Sequence, residues 1–172
     1  MFPYVDSLAN ISSAYAYKRN ELLMFINSAK NLKIEIIPLI QTFGHMEFVL
    51  KWNEFAHLRE LQNRSKDICP SNPESRQLIT TMLKQVIDMH ALIYPLQHIH
   101  VGCDEVRSLN VCPNCKKRKL KNIDLFVDHV KEVSSIVKEL NPAIKVLMWA
   151  DMLLDASIPK MLVKVHSHGS SV

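Results

Sequence analysis

Glycine is scarce in this chain: three in 172 residues, Gly44, Gly102 and Gly169. Long apolar runs are missing, and none approaches the roughly 18 residues a bilayer-spanning helix needs, so no membrane partner is expected. The opening residues, "MFPYVDSLANISS", lack the basic start and apolar stretch of a signal peptide. Without secretion, the glycosylation sequons at Asn10 and Asn63 carry no meaning. The four cysteines (Cys69, Cys103, Cys112 and Cys115) do not make a dense disulfide framework. A large charge imbalance is missing too: the formal net charge is +4, and its cations are scattered, which does not argue for nucleic acid. No repeat, low-complexity tract or linker interrupts the chain. A soluble, reduced, cytoplasmic protein is expected, and the basic cluster "CKKRKLK" at 115–121 resembles a nuclear address.

What is present is a core. Apolar residues make up 48% of the chain, enough for one globular domain. Three short runs rich in Ile, Val and Leu, at 33–43, 96–103 and 143–149, read as strands buried on both faces. A fourth is expected at 161–166, and "SHGSSV" after it reads as a frayed end. Helical spacing marks 18–31, where Leu22, Leu23, Phe25, Ile26 and Ala29 recur. A second helix, 73–91, has Asn72 as N-cap, Pro73 at its first position and Glu74 at its positive end. A third, 124–140, carries Leu125, Phe126, Val130, Val133, Val137 and Leu140 on one face and stops at Asn141-Pro142. The eight methionines read as core. Strand–helix alternation implies an α/β fold with a parallel sheet.

Two of the three glycines fall at the C-terminal ends of these strands, beside His45 and Cys103. That edge is where parallel α/β proteins place their chemistry. Asp104 and Glu105 lie on it as well. Neighbours on a straight strand point to opposite faces, so these two acids share a pocket only if the backbone turns, and Gly102 eases such a turn. Two carboxylates held together cannot both ionise freely, and an acid beside an ionised partner is what glycosidic cleavage uses. The same pair would also serve simply to start a loop or cap the next helix.

The stretch "HIHVGCDEV" resembles the His-x-Gly-x-Asp-Glu signature of glycoside hydrolase family 20, the β-N-acetylhexosaminidases, here His100 to Glu105. "CPSNPESRQLI" from Cys69 is similar to the segment that opens the preceding helix of that family. "IPLIQTFGHMEFVLKWNEFAHLRE" (37–60) resembles an intracellular branch, and "VLMWADM" resembles the next strand and its ending. The four segments are collinear and span about residues 2–155.

The resemblance implies a parallel (β/α)8 TIM-barrel fold and substrate-assisted hydrolysis of glycosides ending in N-acetylglucosamine or N-acetylgalactosamine, with no cofactor and no metal. It assigns Glu105 as general acid and base and Asp104 as support for the substrate's 2-acetamido group. His45 would position the acid residue or be purely structural. Trp149 would wall the sugar pocket or belong to the core, and Asp151 is a weaker substrate-binding candidate. His100 is expected to pack rather than react. The commoner Glu-x-Asp-x-Pro-Gly-His motif is changed: Leu39, Gln41 and Phe43 stand before Gly44-His45. Trp149-Ala150-Asp151 also lacks one acid of the usual Trp-Asp-Asp/Glu. A complete barrel takes about 250 residues. The family's first strands, with a sugar-binding arginine, and its last, with a tyrosine and a second tryptophan, have no counterpart here. Residues 1–172 are therefore expected to be the central part of the catalytic domain, an incomplete barrel. The competing expectation is an inactive remnant that binds a sugar or partner.

Cys112-Pro-Asn-Cys115 is half of a zinc site, with no second pair at suitable spacing. Cys69, Cys103 or a histidine could complete it in space. The favoured expectation is reduced thiols in a solvated loop that starts a helix. With "KKRKLK" attached, a small nucleic-acid knuckle is the other possibility.

Overall fold

The computed structural model describes residues 1–154. The expected strand at 161–166 and the frayed end lie outside them. A 3-10 turn, Asp6–Ile11, precedes α1 (Arg19–Asn31) and the short α2 (Glu47–Leu50). A second 3-10 turn, Asn53–Leu58, leads into β1 (Arg59–Leu61) and β2 (Arg64–Ile68). Then come α3 (Pro73–Ala91), β3 (His98–His100), α4 (Pro113–Lys117), α5 (Asn122–Leu140), β4 (Lys145–Leu147) and α6 (Asp151–Leu154).

The three long helices form where their spacing and caps predict. The Asn72 side chain accepts the N–H of Glu74 at 3.0 Å and Pro73 opens α3. Leu125, Phe126, Val133 and Val137 are buried on α5, together with His129 and Ile136. α1 is more lightly covered: Ile26 and Ala29 are buried, but Phe25 is 58% exposed. Among the methionines Met46, Met82 and Met89 are core, whereas Met1 and Met24 are exposed, so that expectation holds only in part.

The strands are shorter than expected. β3 pairs in parallel with β4 (His98 with Lys145, His100 with Leu147), and a single parallel bridge joins Leu39 to His100. The run 33–43 therefore contributes one bridge, not a full strand. Its ladder consists of His100 N–H donating to the Pro38 carbonyl and Ile40 N–H donating to the His100 carbonyl, each at 2.9 Å. Proline has no N–H to carry that ladder back towards residue 33. Ile34, Ile37 and Leu39 of the first segment, and Leu147 and Trp149 of the third, are exposed, so apolar side chains are left uncovered at both edges of the sheet among the described residues. α3 packs against α5, and one core cluster joins them to the sheet through Phe43, Met82, Leu83, Ile99, Val101, Leu125 and Ile144.

The hairpin β1–β2 is not foreseen by the sequence pattern. Arg59-Glu60-Leu61 and Arg64–Ile68 carry too many charges to alternate visibly, yet Arg59 pairs with Ile68 and Leu61 with Arg64 across a two-residue turn. Its buried members are Glu60 and Asp67 besides Ile68. Among the described residues, no helix is long and apolar enough to cross a membrane.

The core also holds a titratable group. His129 is fully buried against Phe43, with ring centroids 4.0 Å apart, and its Nε2 lies 2.9 Å from the Thr42 carbonyl oxygen. Burial pushes its pKa down to about 4. The unfolded chain, at about 6.5, binds the proton more readily than the folded one. Stability contributed by neutral His129 is complete above pH 6.5 and is lost as pH falls towards 4, a swing on the order of 3 kcal/mol. Urea unfolding midpoints should drop across that window. His129→Gln, which keeps a donor for Thr42, should flatten the dependence, and an unaltered slope in that variant would remove His129 as its cause.

Candidate functional site

The three parallel segments end at one place, and their backbones turn there. Gly102 has φ +70°, Cys103 φ 69° and Glu105 φ 46°, all in the left-handed region. This is the departure the acid pair requires: the strand is broken before Asp104, so Asp104 and Glu105 no longer project to opposite faces. Gly44 brings the first segment close, since a Cβ on it would stand 2.4 Å from the Asp104 carbonyl oxygen. His45, just beyond, is itself left-handed at φ 54°.

The turn carries the imidazole to both acids. His45 Nε2 lies 3.3 Å from Asp104 Oδ2 and 3.6 Å from Glu105 Oε2. Gln41 Nε2 donates to Asp104 Oδ1 at 2.9 Å. Asp104 is thus oriented through both oxygens by residues of the first segment. Although Leu39, Gln41 and Phe43 of that segment supply no carboxylate, a carboxylate–histidine network forms across strands, with Gln41 as one of its donors. Glu105 is more open, its side chain 49% exposed against 23% for Asp104. Lys66 Nζ on β2 lies 3.2 Å from Glu105 Oε2, and an Arg107 guanidinium nitrogen lies 3.6 Å from Oε1.

Asp151, at the start of α6, accepts the backbone N–H of Glu105 at 2.9 Å and so grips the acid loop from the β4 side. Trp149 is 48% exposed, which excludes it from the core. Its backbone N–H donates to the Gly102 carbonyl, and its ring stands 4.6 Å from that of His100. His100 is half-buried, and its Nδ1 accepts the Gly102 N–H at 3.0 Å. Burial lowers its pKa, with Asp104 opposing. Cys103 is sealed beneath the turn, and burial pushes its thiol up to about 12.

The unforeseen hairpin holds the rest of the loop. Both oxygens of buried Asp67 accept backbone N–H groups, Arg107 at 3.3 Å and Ser108 at 2.8 Å. β2 also clasps the Gly44–His45 turn, with Ile68 N–H donating to the Phe43 carbonyl at 3.1 Å and Met46 N–H to the Lys66 carbonyl at 2.8 Å. Lys66, Asp67 and Gln41 are the residues sequence reasoning missed. Gln41 stands at a motif position usually held by an acid, which was the signal that could have found it, whereas the spacing of Lys66 and Asp67 carried none, because they act across the fold.

The cysteines are free and Cys112 caps the start of α4, as expected, but their burial is not. Cys69 and Cys115 are buried and Cys112 half-buried, so the sulfurs are not in a solvated loop. Cys103 belongs to the acid turn and not to this group.

Two adjacent carboxylates brought to one side at the C-terminal edge of a parallel sheet, with an imidazole against both and an exposed indole nearby, form the kind of site that glycoside hydrolases build on α/β barrels. Residues 5–170 match the glycosyl hydrolase family 20 catalytic domain, and the chain belongs to that family. Hexosaminidase D of Homo sapiens is 39% identical over 160 residues, covering 90% of this chain and 32% of the relative. Hexosaminidase D of Bos taurus is 37% identical over 165 residues, covering 90% and 45%. The chain therefore spans less than half the length of these relatives. An exo-β-N-acetylglucosaminidase from Vibrio harveyi, solved in complex with N-acetylglucosamine, superposes with a TM-score of 0.64 at 22% identity, covering 78% of this chain and 22% of that one. That likeness establishes the fold.

Proposed function

We propose that the protein carrying this chain hydrolyses terminal, non-reducing N-acetyl-β-D-hexosaminides by a retaining, substrate-assisted route. The observation that carries the proposal is the broken strand end, which turns Asp104 and Glu105 to one site against His45. Membership of the family and its hexosaminidase relatives supports the substrate class.

In this reading Glu105 gives its proton to the glycosidic oxygen as the C1–O bond breaks. The substrate's acetamido oxygen closes onto C1, and Asp104 accepts the acetamido N–H and faces the positive charge of the oxazolinium. Water then adds to C1, returning its proton to Glu105, and two inversions restore the β-configuration. The exposure of Glu105 suits contact with a leaving group, and the two-sided hold on Asp104 suits an orienting role. His45 positions both acids. Trp149 offers an apolar face to the sugar, and Asp151 keeps the Glu105 backbone in place. Residues 1–154 act as an arc of the catalytic barrel, and other parts of the family's catalytic domain supply the remaining pocket walls; the 32% and 45% of the relatives that the chain spans support this.

The test is turnover of 4-nitrophenyl β-glycosides by the full-length protein. N-acetylglucosaminide and N-acetylgalactosaminide should be cleaved, whereas the β-glucoside, which lacks the acetamido nucleophile, should not. Proton NMR of the first product should show the β-anomer. Equal turnover of the glucoside, or an α-anomer first, would sink the substrate-assisted route.

A further inference from the structure

A second cluster stands apart from the acid pair. Cys112 and Cys115 come from the start of α4, Cys69 from the end of β2, and Glu60 from β1. The Cys69 sulfur lies 3.3 Å from that of Cys112 and 3.7 Å from that of Cys115, and Cys115 Sγ lies 3.1 Å from Glu60 Oε2. All four ligand atoms fall within 4.8 Å of one another. A tetrahedral zinc ion with Zn–S bonds of about 2.3 Å sets its sulfurs about 3.8 Å apart. The cluster has the size of that tetrahedron.

Its surroundings suit a cation. Glu60 is only 1% exposed, and its Oε1 takes the N–H groups of Val111 at 2.6 Å and Cys112 at 2.9 Å, which leaves Oε2 to the sulfurs. The Cys115 N–H donates to Cys112 Sγ at 3.3 Å, and Ser71 Oγ lies 3.1 Å from Cys115 Sγ. These contacts favour negative sulfur. A buried carboxylate among three thiols, with no lysine or arginine paired to it among the described residues, is costly unless a positive charge joins it. Thiolates select soft cations over magnesium or calcium.

We propose that Glu60, Cys69, Cys112 and Cys115 form a closed, structural zinc site. Binding displaces the thiol protons to solvent and leaves no position for water, so the ion takes no part in hydrolysis. It fastens three segments: the β1–β2 hairpin, the entry to α3, and the far end of the loop that begins with Asp104 and Glu105. The near end of that loop is held by Asp67 of the same hairpin. Zinc therefore completes the clamp on the acid loop. This inference stands whether or not the hydrolytic mechanism proposed above is right.

The experiment is elemental mass spectrometry of the native protein purified in reducing buffer without chelator. About one zinc per chain is expected. Cys69→Ser and Cys115→Ser should lower it to background, and Cys103→Ser should retain it. Because a ligand variant can lose zinc simply by unfolding, cobalt exchange of the wild-type protein is the second measurement. It should give the visible bands of tetrahedral cobalt with thiolate charge transfer in the near ultraviolet. A zinc-free protein that yields no such spectrum overturns the proposal. So does a Cys69–Cys112 disulfide found by peptide mapping of the native protein, since closing that pair to about 2.05 Å removes two ligands.

Discussion

Glu105→Gln in the full-length protein is expected to lower kcat on an N-acetyl-β-hexosaminide by about 100- to 10,000-fold while the fold stays intact, if Glu105 is the acid proposed above. The amide matches the carboxyl in shape but cannot give up a proton to the leaving oxygen. Because the Glu105 side chain is half in solvent, the exchange leaves little buried cost, and thermal unfolding should move by only a few tenths of a kcal/mol. A substrate whose leaving group needs no proton separates the roles. With a 2,4-dinitrophenyl leaving group, the first step of the variant recovers while hydrolysis of the intermediate stays slow. Asp104→Asn behaves differently. It keeps the side chain's shape but turns one of the two accepting oxygens, held by Gln41 and His45, into a donor and loses the charge proposed to face the oxazolinium, so its defect should persist even with the activated leaving group. Equal rescue of both variants would show that the two acids do not divide the work as proposed.

Gly44→Ala is expected to damage the site without altering any of its functional groups. The added Cβ would meet the Asp104 carbonyl oxygen at 2.4 Å, a backbone atom that cannot swing aside. The glycine's own turn is held on both sides by β2, through Phe43 with Ile68 and Met46 with Lys66. The acid loop must therefore yield. Overpacking of this kind costs about 1–3 kcal/mol, and a displacement of about 1 Å at reacting groups costs about 100-fold in rate. Activity should fall by that order with a smaller loss of stability. Gly102→Ala provides a contrast. Its Cβ would meet the Gln41 side-chain oxygen at 1.9 Å, which can move, but the φ of +70° is strained for alanine, and any retreat of Gln41 gives up its bond to Asp104. Wild-type kcat/KM in Gly44→Ala would mean that the approach of the first segment to the acid loop does not matter for catalysis.

The helices were legible because their information is local. Asn72-Pro73-Glu74 announces α3 within three residues, and Asn141-Pro142 stops α5. Strand extents were not local. Whether 33–43 pairs depends on neighbours across the sheet, and Pro38 limits what one neighbour can do. The hairpin escaped notice because its buried residues include Glu60 and Asp67, acids whose purpose is to accept N–H groups of a loop 40 to 52 positions further on.

The site divides along the same line. By itself the sequence determined the parallel α/β class, the acid pair at a strand end, and the glycines beside it. These follow from residue type, spacing and motif. Only the tertiary structure decided that Asp104 and Glu105 share His45, that Asp151 holds a backbone amide, that Trp149 is exposed, and that Cys69 and Glu60 join Cys112 and Cys115. Each of these is a meeting of residues far apart along the chain. Such meetings are set by the packing of the core that α3, α5 and the sheet share and by the left-handed turn at Gly102. No property of the residues taken one segment at a time contains them.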